Sequence, residues 1–502
     1  MTPCLGCSVF VFFCGLPCSS TDANAARRPG CSGPSLPLVP DSVLWLRRDL
    51  RRDDHPALCR AAGEVAGSAG GRVLPLFVVD PALWAPAGAP RRLWLVRSLR
   101  ALSASLDGAL VIRHGDPAVV VPEVAAALGS SGRSARVHVT ADAGPYGRRR
   151  DDAVAARLAA AGSALVRTGT PYAVGPGSVV KADGSAYQVF TPFSRAWADH
   201  GWPAPAPTPA GLRWVRTVSS EPLPKEPDSA ELARLELPEV GEAVALARWH
   251  AFLDDGLADY KERRDRPDLT GTSGLSAHLK YGEIHPRTLL ADLAGRRGAG
   301  AQAFRTELAW REFYADVLWH RPESARTYVR PQLANLAWTN PADPGGQFAA
   351  WVAGRTGYPF VDAGMRQLLS EGWIHNRVRM VVASFLVKDL HVEWLHGARH
   401  FMRWLRDGDL ASNAHGWQWA AGTGTDAAPY VRVFNPVTQG LRFDPSGDYV
   451  RRYLPELGHL AGAAAHRPWD AVDGYARGYP ERIVDHAVER AEALRRFEAV
   501  RR

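Results

Sequence analysis

The apolar and polar positions divide the chain near residue 170. Before it, short apolar runs at 43–46 (VLWL), 73–79, 109–112 and 135–140 alternate with helical periods at 92–106 and 119–128. Apolar strands alternating with helices predict a parallel sheet covered on both faces, whose ligands bind beyond the carboxyl ends of the strands. No GxGxxG follows the first run, so the dinucleotide fingerprint is absent. Between 171 and 235 the pattern lapses. The stretch 202–211 (WPAPAPTPAG) can be neither helix nor central strand and reads as an extended connector, with Phe190, Phe193 and Trp197 packing it down. From 236 onward the periods are helical, beginning with a stripe over 242–260.

Three stretches depart from ordinary amphipathicity. In 372–388 the positions Ile374, Val378, Val381, Val382, Phe385 and Leu386 form a core stripe. Trp373, Asn376, Arg377, Met380 and Ser384 form a second face, a poor core and a poor solvated surface. Such a face suits something flat, polar-edged and anionic. On the helix predicted at 304–319, Glu307, Trp310, Arg311 and Tyr314 share another polar-aromatic face. An exposed Glu307–Arg311 pair is its bland account, worth only about 0.3–0.5 kcal/mol. The loop 270–278 (TGTSGLSAH) offers hydroxyls and free N–H groups to a phosphate, or Ser276 as a plain helix cap.

Composition changes the picture in two ways. The net charge of +8 suits an anionic partner such as nucleic acid. Of 17 tryptophans, nine fall between Trp310 and Trp419, a concentration that packing alone does not call for, although about half read as plain core. Five of six cysteines lie in the first 31 residues, leaving only Cys59 for the rest, so disulfides do not build the fold. Residues 1–40 read as a disordered or spurious leader, against a secretory signal or a metal ribbon. The compartment expected is the cytoplasm, with no membrane span and a monomeric state. Asp407 and Asp409 flank Gly408 without further ligands at loop spacing, so no metal is expected.

The runs RRDLR (47–51), TSGLS (272–276), ELAWREFY (307–314), GRTGYPFVDAGMRQL (354–368), GWIHNRVRM (372–380), DGDLASN (407–413) and GWQWAAGTGTDAAPY (416–430) resemble the photolyase/cryptochrome family. Within it, the nearest likeness is to class I photolyases, which repair cyclobutane pyrimidine dimers in DNA. The resemblance implies an α/β, Rossmann-like antenna-binding domain at 41–170, a connector at 171–235, an all-α FAD-binding catalytic domain at 236–490 and a short tail at 491–502. It implies light-driven electron transfer from reduced FAD to a flipped-out dimer, photolyases as a class being base-flipping enzymes. Tyr260, Thr272, Ser273, Gly274, Leu275 and Ser276 would then hold the FAD phosphates and neighbouring groups. Arg311, Trp373, Arg379, Asp407, Gly408 and Asp409 would surround its rings and sugar, with Asn413 facing the reactive ring nitrogen. Glu307, Trp310, Asn376, Arg377, Met380 and Trp419 would line the dimer pocket, and Arg264 would meet a DNA phosphate. Trp417, Trp394 and Trp338 would pass electrons inward from the surface. An antenna chromophore, 8-hydroxy-5-deazaflavin rather than methenyltetrahydrofolate, would touch Arg92, Asp142 and Lys280. Two alternatives stand beside this reading: a (6-4) photolyase, against which Asn376 speaks because that type carries a His pair at 375–376, and a light-signalling cryptochrome.

Overall fold

The computed structural model describes residues 41–66, 71–129, 134–228, 232, 235–342, 346–425 and 432–501. The expected leader therefore lies outside the described residues. Five parallel strands make one sheet in the order β3-β2-β1-β4-β5. These are β1 (Ser42–Leu46), β2 (Val73–Val79), β3 (Val111–His114), β4 (Val137–Val139) and β5 (Leu165–Arg167). Because side chains alternate across a strand, Leu44 and Leu46 pack with α1 (Pro56–Val65) and α2 (Ala89–Ser105) on one face. Val43 and Trp45 pack with α3 (Pro117–Ala127) and α4 (Pro145–Ala160) on the other. Pro75 sits inside a central strand because β3 pairs with β2 only from Leu76 onward, so no ladder bond from its missing N–H is lost there.

The turn leaving β1 at the carboxyl edge joins the sheet to the helices. Arg51 donates to Gly282 O at 3.0 Å, and Leu50 N donates to Tyr281 O at 3.2 Å, both at the end of a short helix, α7 (Ser276–Tyr281). Arg48 reaches Asp409 at 2.7 Å and Arg47 reaches Asp151 at 2.8 Å.

The connector contains a helix, α5 (Phe190–His200), and is fastened by two buried carboxylates, Glu312 and Asp316, the latter accepting from Gly177 N at 2.7 Å. Glu312 accepts from Val174 N and Gly175 N at 2.7 and 2.8 Å, and from the Trp197 indole at 2.8 Å. Its helix, α9 (Ala299–His320), follows α8 (Pro286–Leu293) and is the long axis of the second half. The 242–260 stripe does not give one helix: α6 (Glu242–Ala251) passes into a π turn at Phe252–Gly256. That extra residue per turn lets Phe252 and Leu253 both stay buried while Tyr260 comes round to the same core.

The third element of interest, α11 (Asn376–Lys388), is shorter than its periodicity predicts. His375 stops it at the N-terminal end, its imidazole accepting from Arg377 N at 3.2 Å, so Trp373 and Ile374 precede the helix and do not share its faces. Helix α10 (Pro359–Glu371) packs beneath it, followed in sequence by α12 (Trp394–Trp404) and α13 (Leu410–Ala421). The last helix, α14 (His486–Arg501), runs across the expected boundary at 490, and Phe497 is buried against Leu333 and Leu336. No helix of the described residues is long and apolar enough to cross a membrane.

Candidate active site

The deepest part is built at the start of α13. Asp409 is its N-cap: one carboxylate oxygen accepts from Ser412 N at 3.0 Å and the other from Arg48 at 2.7 Å. Burial opposes its charge, yet Arg48 and then Arg311 hold the carboxyl well below the usual range. Two residues earlier Asp407 accepts from Arg379 at 2.8 Å, and Arg379 is itself oriented by Ile374 O at 2.7 Å. The other oxygen of Asp407 is buried with no partner, an acceptor waiting for a donor. One turn into α13, Asn413 donates to Ala398 O at 3.0 Å, which fixes the plane of its amide against α12. Trp417 follows a turn later, 3% exposed, and approaches α12 so closely that only glycine fits at 397: a Cβ there would lie 2.2 Å from the indole.

A second wall comes from the loop before α7. Leu275 is buried and caps the helix by backbone alone, so Ser276 is not its cap. The Ser276 hydroxyl instead accepts from the Trp373 indole at 3.3 Å. Gly274 adopts φ +64, which glycine tolerates without strain, and brings its backbone beside the guanidinium of Arg248. Thr272 and Ser273 remain half exposed. Hydroxyls, free N–H groups and Arg248 at one end, and an unpaired acceptor, an amide and an indole at the other, fit a long cofactor with phosphates and a flat, polar-edged ring. Tyr260 is buried among Phe252 and Phe304, with Arg264 over its ring, and so forms the support of this wall.

The shallower part lies along α9 and the exposed edge of α11. Glu307 does not take Arg311, its neighbour on the helix. It pairs with Arg264 at 2.7 Å, while Arg311 donates to Pro171 O and Leu279 O at 3.0 and 3.2 Å. Arg377 pairs with Asp265 at 2.9 Å and lies over the Phe443 ring. Asn376 is exposed and Met380 half exposed beside it. Trp310 is stacked on Phe190 at 3.6 Å, which leaves one face for a visitor, and Trp419 leans on Phe434 under Arg432.

Trp417 and Trp394 belong to one core, with Trp338 packed against its margin. The antenna residues are not all brought together. Asp142 and Lys280 both feel Arg48, but Arg92 turns away to Trp84 O at 3.0 Å and to Ala85 O. Four participants reach the site through contacts distant in sequence: Arg48, Arg248, Asp265 and Phe190. Of these, only Arg48 lies in a run that stands out, at the end of the first strand.

Residues 42–210 match the family model for DNA photolyase, and residues 304–499 match that for the FAD binding domain of DNA photolyase. The deoxyribodipyrimidine photo-lyase of Streptomyces griseus is 41% identical, with 92% of this chain and 99% of the relative covered. That of Escherichia coli is 37% identical, over 92% and 99%. The crystal structure of a bacterial class III photolyase from Agrobacterium tumefaciens shares the fold at TM-score 0.84 and 36% identity, covering 94% of this chain and all of that one (100%).

Proposed function

The chain belongs to the DNA photolyase family, and from that premise we propose that it splits cyclobutane pyrimidine dimers in DNA by light-driven electron transfer. Helix α11 carries the proposal. Its first turn lays Arg379 on the deep Asp407 and Arg377 on the shallow Asp265, so one rigid element ties a cofactor floor to a substrate rim.

When bound, fully reduced FAD would supply, on excitation by blue light, the electron that opens the cyclobutane ring. Gly274 to Ser276 and Arg248 would take its phosphates; Asp407, Arg379, Asn413 and Trp373 would take its ring system and sugar. At Asn413 a neutral amide tolerates an anionic ring where a carboxylate would repel it. A flipped-out dimer needs aromatic walls and polar edges, which Trp310, Trp419, Glu307, Asn376 and Met380 supply, while Arg264 and Arg377 meet the backbone. Burial of Trp417 excludes water from the inner end of the electron route.

The antenna would be an 8-hydroxy-5-deazaflavin at the carboxyl edge of the sheet. The support is a cluster of charged side chains there. Burial, then Arg48 and Arg91, push Lys280 down to about 7, and Asp142 is held low by Arg150 and Arg48 against its burial.

Trp417→Phe tests the core of the reading. Photoreduction of the oxidised cofactor should fall at least about tenfold, while repair by chemically pre-reduced enzyme persists, followed by absorbance of a dimer-containing oligonucleotide under blue light. Loss of both activities would break the assignment.

A further inference from the structure

The prolines of the connector forbid a helix after α5, so residues 202–205 run extended and face α8 and α9 across a cavity of about 600 Å³. That wall is anchored at both ends. Trp202 leans on Trp197, ring centroids 4.5 Å apart at 32°, and Trp197 is the indole already held by Glu312. Past Pro205, Ala206 N donates to Asp54 at 2.8 Å, and the Cys59 thiol of α1 donates to Pro207 O at 3.0 Å. Arg287, in the first turn of α8, also lines the cavity and is only 8% exposed. Its Nε donates to Ala173 O at 2.9 Å, the one side-chain bond it makes among the described residues, where no carboxylate comes within ion-pair reach of it. The two acids whose field reaches it are engaged elsewhere. Asp54 accepts from Ala206 N and Thr288 and faces His285 at 3.0 Å, and Glu312 holds the connector. Burial outweighs both and lowers the pKa of the guanidinium. A buried charge left without a partner is costly, and an anion entering the cavity removes that cost.

We infer that this cavity is a binding site for a small aromatic monocarboxylate. A guanidinium presents parallel N–H groups that match the two oxygens of a carboxylate. Trp202, the adjoining proline rings and Leu290 offer apolar surface to a flat ring, and the volume lies in the range of small-molecule sites. The charge of the ligand follows from what else lines the cavity. Among the described residues no acid does. Arg305 is the other cation, and its guanidinium already donates to Leu293 O and, at 3.0 Å, to Arg296 O, so it has little left for an entering anion. One spare fork takes one carboxylate, whereas a phosphate dianion calls for a second. The site shares no residue with the flavin floor or the dimer rim, and the inference stands apart from the function proposed above.

The test is calorimetric titration of the flavin-loaded full chain with 2-naphthoate, which should give a saturable one-to-one heat. The matched amide, 2-naphthamide, keeps the ring and loses the charge, and should bind at least about tenfold more weakly. Acetate keeps the charge and loses the ring, and should also bind at least about tenfold more weakly. Ala291→Trp plugs the cavity from an exposed position on α8 and should abolish binding at unchanged Tm. Arg287→Lys keeps the charge but not the fork and should weaken binding at least about tenfold. Should that variant also lower the Tm, Ala291→Trp decides alone. A saturating dimer-containing oligonucleotide should leave the affinity for 2-naphthoate unchanged. Absence of a saturable heat, equal binding of acid and amide, or undiminished binding in Ala291→Trp would overturn the inference. So would displacement by the oligonucleotide, or tighter binding of 2-naphthyl phosphate than of 2-naphthoate.

Discussion

The floor and the rim of the site use the same chemistry, arginine against carboxylate, to opposite ends. On the floor, Arg379–Asp407 and Arg48–Asp409 are closed in: the Asp407 side chain is 4% exposed and that of Asp409 15%. On the rim, the carboxylates of Arg264–Glu307 and Arg377–Asp265 are 32% and 33% exposed. A closed pair holds its members at fixed positions, and removing one leaves an uncompensated charge. An open pair costs little to separate, so its arginine can exchange a carboxylate for a phosphate. Under the proposed function, the floor is preorganised for a resident cofactor and the rim is poised for a partner that comes and goes.

Three experiments press on this difference. The largest effect is expected from Asp409→Asn, which strands Arg48: stability should fall by on the order of 2–3 kcal/mol, read as a lowered Tm, with flavin lost on purification. A rim-like response, with Tm and flavin content unchanged, would erase the distinction. Next, Arg264→Ala should weaken DNA binding about tenfold across sequences and reduce the salt slope by about one, with stability nearly unaltered. An unchanged slope would remove Arg264 from the phosphate. The smallest effect concerns acidity. Burial raises the Glu307 carboxyl while Arg264 opposes the rise, so Glu307 takes up a proton at higher pH than an ordinary glutamate. As pH falls through that point Arg264 is released, and DNA affinity should improve about two- to threefold. Glu307→Gln should flatten this dependence in binding measured across pH 4 to 7.

What the sequence conveys follows the range of the forces involved. Strands β1 and β2 are plain because their residues are buried on both faces, and the loop before α7 declares itself by composition. Strand β5 is silent, being three residues long and only partly covered at the edge of the sheet. Periodicity puts Trp373 on the wrong face because it cannot see a helix stop that depends on the imidazole of His375. The same limit misdirects Arg311 and Glu307. Their spacing allows a local pair, but Arg264 offers Glu307 a closer partner and backbone carbonyls claim Arg311. Motif order alone directs Arg92 to the proposed antenna site, whereas its guanidinium is held by carbonyls of its own neighbourhood. The deep residues from 407 to 417 are the most legible, since a cap, a glycine and a helix period fix them within a few turns.

The turn after β1 also bears on how this architecture could be rearranged. Arg48 leaves the sheet as part of the α/β half, yet it is the counter-charge of Asp409 at the start of α13. The sheet is therefore not detachable from the helical half without loss. Exchanging it for another α/β unit would retain cofactor binding only if the incoming turn delivered an arginine to the same spot, which makes that short basic loop the true seam between the two halves.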